Sequence, residues 1–209
     1  MSTGTAFPDP AVMEAMGRGE AYADLAQGFG HPTLQSMAWL SRRQAPSPGR
    51  LGESFHQARQ AAIDAGLEEL RRSFMRVFDP RHAPFPLEAE NRPEYAQQRT
   101  ALLSDVMGFY RAFGVAPDRQ RPDHLCCELE FLHVLSLKEA RARQAGKSEQ
   151  AEVCADARRK FLAEHLQPWI PAVVEMVQAR ARPGDDGFYL KLLHCLQILM
   201  EEEEGGGTP

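Results

Sequence analysis

The sequence predicts an all-α protein, a single-domain bundle of about seven or eight helices. Apolar residues recur at intervals of three and four along most of the chain, and no segment shows the alternation of a half-buried strand. Glycine and proline cluster between these periodic segments. A length of 209 residues with 43% hydrophobic content suits one compact core. We therefore expect one helical domain over residues 1–204 and a flexible tail over residues 205–209.

The individual helices are predicted from their periodicity and from the residues at their ends. Pro10 suits the first turn of the first helix, and Gly114 supplies a helix stop. The carboxylates of Glu201–Glu204 would lie at the negative pole of the last helix, so we expect fraying there. The predicted helices cover residues 10–28, a short stretch after Pro32, 53–78, 94–113, 121–144, 148–165, 171–182 and 188–200.

A proline-rich segment separates two of these helices. Residues 79–93, with the sequence DPRHAPFPLEAENRP, contain four prolines. Because proline fixes φ and lacks an N–H donor, we expect a stiff, extended loop that carries the apolar side chains of Phe85 and Leu87. A long loop in a compact domain is often functional.

The stretch Arg121–Ala140 is apolar on nearly every side, which predicts a central helix. Leu125, Leu129 and Leu132 form one stripe along it. Acidic and imidazole side chains interrupt the apolar surface, and buried polar groups must be paired, hydrated or functional, because an unpaired one costs about 1–3 kcal/mol. These side chains belong to Asp123, His124, Glu128, Glu130 and His133.

Two interpretations of the opening turn of this helix remain open. Asp123 would cap the helix and His124 would pair with Glu128, four residues later, in a purely structural role. Alternatively, the same residues form an acidic, partly buried ledge that receives a cationic segment.

Composition and motifs exclude several classes of function. The net charge of -5 and the pI near 5.8 argue against nucleic-acid binding, which needs a basic face. No apolar run is long enough for stable membrane insertion, and the first residues lack the pattern of a secretory signal. The four cysteines form no C-x-x-C pair, so we expect reduced thiols and a cytoplasmic location. Neither a nucleophile elbow nor a phosphate-binding loop is present, so we expect no catalytic residues and no cofactor.

A metal-dependent helical-bundle enzyme is the alternative function. Di-iron bundles use two Glu-x-x-His pairs together with glutamates from two further helices. The chain contains Glu53-Ser-Phe-His56 and Glu130-Phe-Leu-His133, but no inward pair of additional glutamates stands out. The match to such a site is therefore partial.

Four motifs follow one another in the second half of the chain, namely FYRAFG (109–114), RPDHLCCELEFLHVLSLKEA (121–140), RRKFLAEHLQPW (158–169) and GFYLKLLHCL (187–196). Together they resemble the TorD/DmsD/NarJ family of maturation chaperones for molybdenum enzymes. The resemblance is closest to chaperones of type II enzymes in the dimethyl sulfoxide reductase family. It implies an all-helical protein that is not an enzyme. The implied partner is the N-terminal leader, often of the twin-arginine type, on the apo form of a molybdopterin oxidoreductase catalytic subunit, which the chaperone holds until the cofactor is inserted.

The resemblance also suggests where a leader would bind. Pro122, Asp123 and His124 match the family motif near the leader-binding pocket, and the proline-rich segment corresponds to loops that line it. Where family members commonly have Pro-Pro-Tyr-Glu, this chain has Pro84-Phe-Pro-Leu-Glu88, without the tyrosine hydroxyl. A leader with two guanidinium groups and an apolar stretch needs carboxylates beside an apolar groove. The predicted peptide-binding residues are Phe85, Pro86, Pro122, Asp123, His124, Leu125 and Glu128.

Overall fold

The computed structural model describes residues 9–42, 49–78, 86–118, 121–181 and 187–205. Within these ranges every regular element is a helix, which confirms the all-α prediction, and one isolated antiparallel bridge joins Leu87 to His124. A 3-10 turn at Pro93–Tyr95 follows α4, and a π-helical turn at Leu162–Leu166 follows α7. The α-helices are α1 (Pro10–Phe29), α2 (Leu34–Arg42), α3 (Gly49–Phe78), α4 (Glu88–Asn91), α5 (Arg99–Ala112), α6 (Leu125–Gln144), α7 (Ser148–Phe161), α8 (Ile170–Arg180) and α9 (Phe188–Gly205).

Helix α6 lies at the centre of the bundle, as its apolar sequence predicts. It packs between α1 and α7, while α3 packs along α9. The approach of α1 to α6 is close, because a Cβ atom on Gly19 would lie 3.2 Å from the Ser136 Cβ. The side chains of the central stripe are fully buried, namely those of Leu125, Leu129, Leu132 and Leu135.

Helix α3 differs from its prediction in where it starts and in its shape. It begins at Gly49 rather than at residue 53, and it bends at Gly66. The φ angle of Gly66 is 73°, in the left-handed region that glycine adopts without a steric penalty. The two halves of α3 can therefore follow the bundle surface in different directions.

The prediction of an extended loop over residues 79–93 is wrong where the structure describes it. Residues 86–93 include α4 and the start of the 3-10 turn, and the next helix begins at Arg99 rather than at residue 94. Contacts with Asp123, described below, hold α4 in place. Gly205, the first residue of the predicted tail 205–209, belongs to the last helix, while residues 206–209 and residues 79–85 lie outside the described residues.

The last helix does not fray at its acidic end, contrary to the prediction. It stays helical to Gly205 because its carboxylates meet donors from other helices. The Tyr22 hydroxyl donates to the Glu203 carboxylate over 2.9 Å, and Arg158 pairs with the same carboxylate. Arg158 also lies 3.6 Å from Glu139 of α6, so a buried ionic network joins α1, α6, α7 and α9.

The four cysteines and the lengths of the helices complete the description of the fold. Cys126, Cys127, Cys154 and Cys195 are all buried free thiols. Among the helices of the described ranges, none is both long and apolar enough to cross a membrane.

Candidate functional site

Residues 86–89, called here the 86–89 segment, lie against the start of α6. The Leu125 N–H donates to the Pro86 carbonyl over 2.9 Å, and the Glu88 N–H donates to the Asp123 carbonyl over 2.8 Å. The antiparallel bridge between Leu87 and His124 lies between these two bonds. Backbone hydrogen bonding thus joins the end of the proline-rich segment to the Pro-Asp-His motif, although more than 30 residues separate them in sequence.

Asp123 anchors the 86–89 segment from inside the protein. Its carboxylate is fully buried and accepts the Ala89 N–H in the first turn of α4 over 3.2 Å. Arg121 donates to both carboxylate oxygens, with Nε 3.0 Å from Oδ1 and Nη2 2.8 Å from Oδ2. Asp123 therefore caps α4 across the chain, and the expectation that it caps its own helix is wrong.

The cap of α6 is His124 instead. Its Nδ1 accepts the Cys126 N–H over 3.1 Å, which satisfies one of the free donors of the first turn. Burial lowers the pKa of His124 from 6.5 to about 4, so the imidazole is neutral near pH 7. A neutral ring is the form that can accept this bond, since both nitrogens of an imidazolium are donors.

The Glu128 side chain lies beside the buried carboxyl group of Glu88 rather than beside His124. Both Glu128 and Glu88 are fully buried, and their carboxyl groups are neighbours. Burial raises the pKa of Glu128 well above its ordinary value, and the negative charges of Glu88 and Asp123 raise it further. Burial and these two neighbouring negative charges therefore favour the protonated form of Glu128, the form in which two buried carboxyl groups can lie together.

Sequence reasoning missed the partners of Glu88. Its carboxylate accepts from Arg92 Nη1 over 2.7 Å and lies 3.1 Å from Nδ1 of His165, which belongs to the π-helical turn. Trp169, fully buried, lies beside Glu128. The Glu88–Arg92 pair has a spacing of four residues, which the sequence alone could have indicated. The contacts with His165 and Trp169 join distant parts of the chain, and no spacing in the sequence connects them.

An apolar pocket of about 190 Å³ opens beside the first turns of α6. The Tyr110 hydroxyl, at its edge, donates to the Pro122 carbonyl over 2.7 Å. Glu130 supplies an exposed carboxylate to the pocket. The other lining residues are Val115, Ala116, Pro117, Cys127, Phe131 and Val134. This pocket thus combines an apolar floor with an acidic edge.

The structure brings most of the predicted peptide-binding residues together. Pro86, Pro122, Asp123, His124, Leu125 and Glu128 lie at one end of α6, and Phe85 lies outside the described residues. Their side chains are largely internal, since Asp123, Leu125 and Glu128 have no exposed surface and His124 is 9% exposed. Pro122 is half-buried. In this conformation these residues support the candidate site from inside the protein. The accessible surface next to them is the pocket that Glu130 lines.

The two Glu-x-x-His pairs do not form a metal centre among the described residues. Glu53 and His56 are exposed on α3, and Glu130 is exposed on α6. His133 has its Nδ1 2.7 Å from the Gly19 carbonyl oxygen, so it serves the packing of α1 on α6. The alternative function, a metal-dependent enzyme built on these two pairs, therefore loses its basis.

Comparison with known proteins identifies the family of this chain. The family model described as nitrate reductase delta subunit matches residues 44–175, more than half of the chain. The perchlorate reductase assembly chaperone protein of Dechloromonas aromatica is 31% identical over 198 residues, covering 82% of this chain and 84% of that protein. The selenate reductase assembly chaperone protein of Thauera selenatis is 31% identical over 169 residues, covering 79% and 78%. Chaperone protein TorD of Vibrio cholerae is 31% identical over 119 residues, covering 51% and 49%. The chain therefore belongs to the nitrate reductase delta subunit family, the TorD and NarJ group that its four motifs resemble.

Proposed function

We propose that this protein is a system-specific cytoplasmic chaperone that binds the N-terminal leader of a molybdopterin oxidoreductase catalytic subunit. In this proposal it holds the apo subunit until the cofactor is inserted, before export or assembly. The observation that carries the proposal is the similarity, over about four-fifths of the chain, to proteins named as assembly chaperones of perchlorate and selenate reductases. Those names describe chaperones and not enzymes, in agreement with the expectation that this chain is not an enzyme.

The leader would bind at the end of α6 where the Pro-Asp-His motif meets the 86–89 segment. Two properties of this region support the assignment. The 190 Å³ pocket offers apolar side chains to an apolar leader segment, and the exposed carboxylate of Glu130 offers a partner to a guanidinium group. A twin-arginine leader carries both kinds of group, and such a peptide binds best where apolar and acidic surfaces adjoin.

Within this proposal the residues at this end of α6, with Glu130 added to the predicted set, divide into two roles. Pro122 and Glu130 have accessible surface, so they are the candidates for direct contact. Asp123, Leu125 and Glu128 are fully buried, so they position the surface without touching a peptide in this conformation. Asp123 does so through the Ala89 N–H and the Arg121 guanidinium.

Calorimetric titration with a synthetic leader peptide tests the proposal. Suitable peptides are the N-terminal segments of molybdopterin oxidoreductase subunits encoded near this chain's gene, each paired with a version in which both arginines are glutamine. We expect one peptide per chain, weaker binding of the glutamine version, and weaker binding of the native peptide to Glu130→Gln. Loss of one charge-assisted bond costs about 1.5–3 kcal/mol, which is roughly a 10- to 150-fold change in Kd.

Glu149→Gln is the matched control, because Glu149 is an exposed glutamate on α7 and the substitution changes the net charge equally. If none of these leaders binds the wild type, the leader proposal is wrong. If leaders bind but Glu130→Gln and Glu149→Gln behave alike, the peptide contacts a different surface.

A further inference from the structure

A second cluster of chemically active side chains lies on the other side of His165 from Glu88. Asp105 projects from α5, and Glu164 and His165 come from the π-helical turn that follows α7. One potential ligand atom from each residue lies within 4.8 Å of the others. The two carboxylates are exposed, whereas His165 is 3% exposed. The cluster therefore has a fixed, buried member and two members that reach solvent.

The two nitrogens of His165 have different surroundings. Nδ1 lies 3.1 Å from the Glu88 carboxylate, which also accepts from Arg92, so Nδ1 is the nitrogen placed to carry the ring proton. Nε2 is buried, has no hydrogen-bond partner among the residues that the structure describes, and lies 3.4 Å from an oxygen of Asp105. In the neutral ring Nε2 has a lone pair, and it faces a carboxylate oxygen that also has lone pairs. Two acceptors at this separation repel each other unless a cation lies between them, either a second ring proton on Nε2 or a metal ion.

This arrangement is that of a histidine prepared for metal binding. Histidine ligands commonly donate the ring N–H that faces away from the metal to a carboxylate, which fixes the tautomer and strengthens the ligating nitrogen. Glu88 occupies that position for His165. The ring is also held sterically, with its centroid 4.9 Å from the Phe161 ring and 5.4 Å from the Phe109 ring.

The local backbone explains why Glu164 and His165 both reach the cluster. In the π-helical turn the Gln167 N–H donates to the Leu162 carbonyl over 2.9 Å, which adds one residue to the turn. Such turns occur frequently at functional sites, because the extra residue redirects side chains. An open groove of about 820 Å³ borders Asp105, Glu164 and His165, so a hydrated ion has access.

We propose that Asp105, Glu164 and His165 bind one divalent transition-metal ion, through His165 Nε2 and one oxygen from each carboxylate, with water completing the coordination. Zinc is the best match, because Zn²⁺ takes imidazole and carboxylate ligands at about 2.0–2.2 Å and tolerates a bound water. The exposed carboxylates must rotate inward, since tetrahedral ligands at that distance lie about 3.3 Å apart. Lys160, whose Nζ lies 4.0 Å from Glu164, is an exposed competitor that the ion would displace.

The bound ion would join α5 to the turn between α7 and α8 and would strengthen the hydrogen bond from His165 to Glu88. This proposal does not depend on leader binding. It also differs from the Glu-x-x-His prediction, because it uses neither of those pairs.

Titration of tag-free, chelator-stripped full-length protein with ZnCl₂, followed by calorimetry and thermal unfolding, tests the proposal. We expect one Zn²⁺ per chain, a rise in melting temperature on binding, and at least a tenfold weaker affinity for Asp105→Asn and for Glu164→Gln. Both substitutions alter exposed side chains, so folding should be preserved. The proposal also predicts that Co²⁺ binds at the same stoichiometry and is displaced by Zn²⁺, in line with the order of metal affinities.

Asp156→Asn and His194→Gln are the controls, since both change exposed residues away from the cluster. Either of two results overturns the proposal. One is the absence of saturable zinc binding to the wild type, and the other is unchanged stoichiometric binding to the Asp105→Asn/Glu164→Gln double variant.

Discussion

Replacing His124 with asparagine removes the titrating group at the start of α6 but retains a capping acceptor. The Nδ1 of His124 accepts the Cys126 N–H, and the side-chain oxygen of asparagine can occupy nearly the same position. The variant should therefore fold with similar stability near neutral pH. The variant should lose the part of the pH dependence of stability that comes from the titration of His124.

The sign and size of this dependence follow from the buried position of the ring. Burial lowers the pKa of His124 to about 4 in the folded protein, whereas the unfolded chain protonates near 6.5. Between these values the unfolded state binds more protons than the folded state. The contribution of His124 to the free energy of unfolding is therefore fully present above pH 6.5 and is lost as the pH falls toward 4. The difference between the folded and unfolded pKa values corresponds to about 3 kcal/mol of unfolding free energy in total, of which about 2 kcal/mol is lost between pH 7.5 and pH 5.

Urea unfolding of the wild type and of His124→Asn at pH 7.5 and pH 5, followed by circular dichroism, measures the effect. Between pH 7.5 and pH 5, the free energy of unfolding of the wild type should fall by about 2 kcal/mol more than that of the variant. Glu128, whose raised pKa gives a slope of opposite sign, titrates in both proteins and cancels in the difference. His194→Asn, at an exposed histidine, should behave like the wild type. Equal losses in the wild type and in His124→Asn would refute the assignment of a buried neutral cap.

Three further substitutions test the interior of the bundle by the same unfolding measurement. Asp123→Asn should cost about 1.5–3 kcal/mol because it weakens the bonds to Arg121. Glu128→Gln at pH 7 should cost less than about 1 kcal/mol, because glutamine resembles the protonated acid that burial favours. A larger cost for Glu128→Gln would mean that Glu128 is ionised. Glu203→Gln should cost about 3 kcal/mol, since it leaves the buried Arg158 without its main partner, and a cost below 1 kcal/mol would show that the network is solvated.

The fold was predictable from sequence because helical periodicity is a local property. The burial of Leu125, Leu129 and Leu132 followed from their spacing alone, and so did the central position of the helix that carries them. The extent of the last helix was not predictable in this way. The helix dipole predicts fraying when the carboxylates of α9 are considered alone. In the structure Tyr22 and Arg158, each more than 40 residues away in sequence, donate to the Glu203 carboxylate.

The candidate site was predictable in location but not in its internal chemistry. Capping preferences favour Asp123 over His124 at the start of a helix. The structure reverses these roles because Asp123 has two stronger partners, the Arg121 guanidinium and the Ala89 N–H, and the second comes from a distant segment. A bond between residues 34 positions apart leaves no periodic signal in one sequence.

The buried acidic residues of α6 and of the turn before it lie toward the two ends of the helix, and each end attaches a different part of the chain. At the start, Asp123 and Glu128 meet the 86–89 segment. At the far end, Glu139 meets Arg158, which in turn holds the last helix through Glu203. Buried charged groups stabilise a fold less than apolar packing does, but they tolerate few alternative partners. The apolar middle of α6 supplies the stability of the bundle, and its polar ends determine which segments are positioned beside the candidate site.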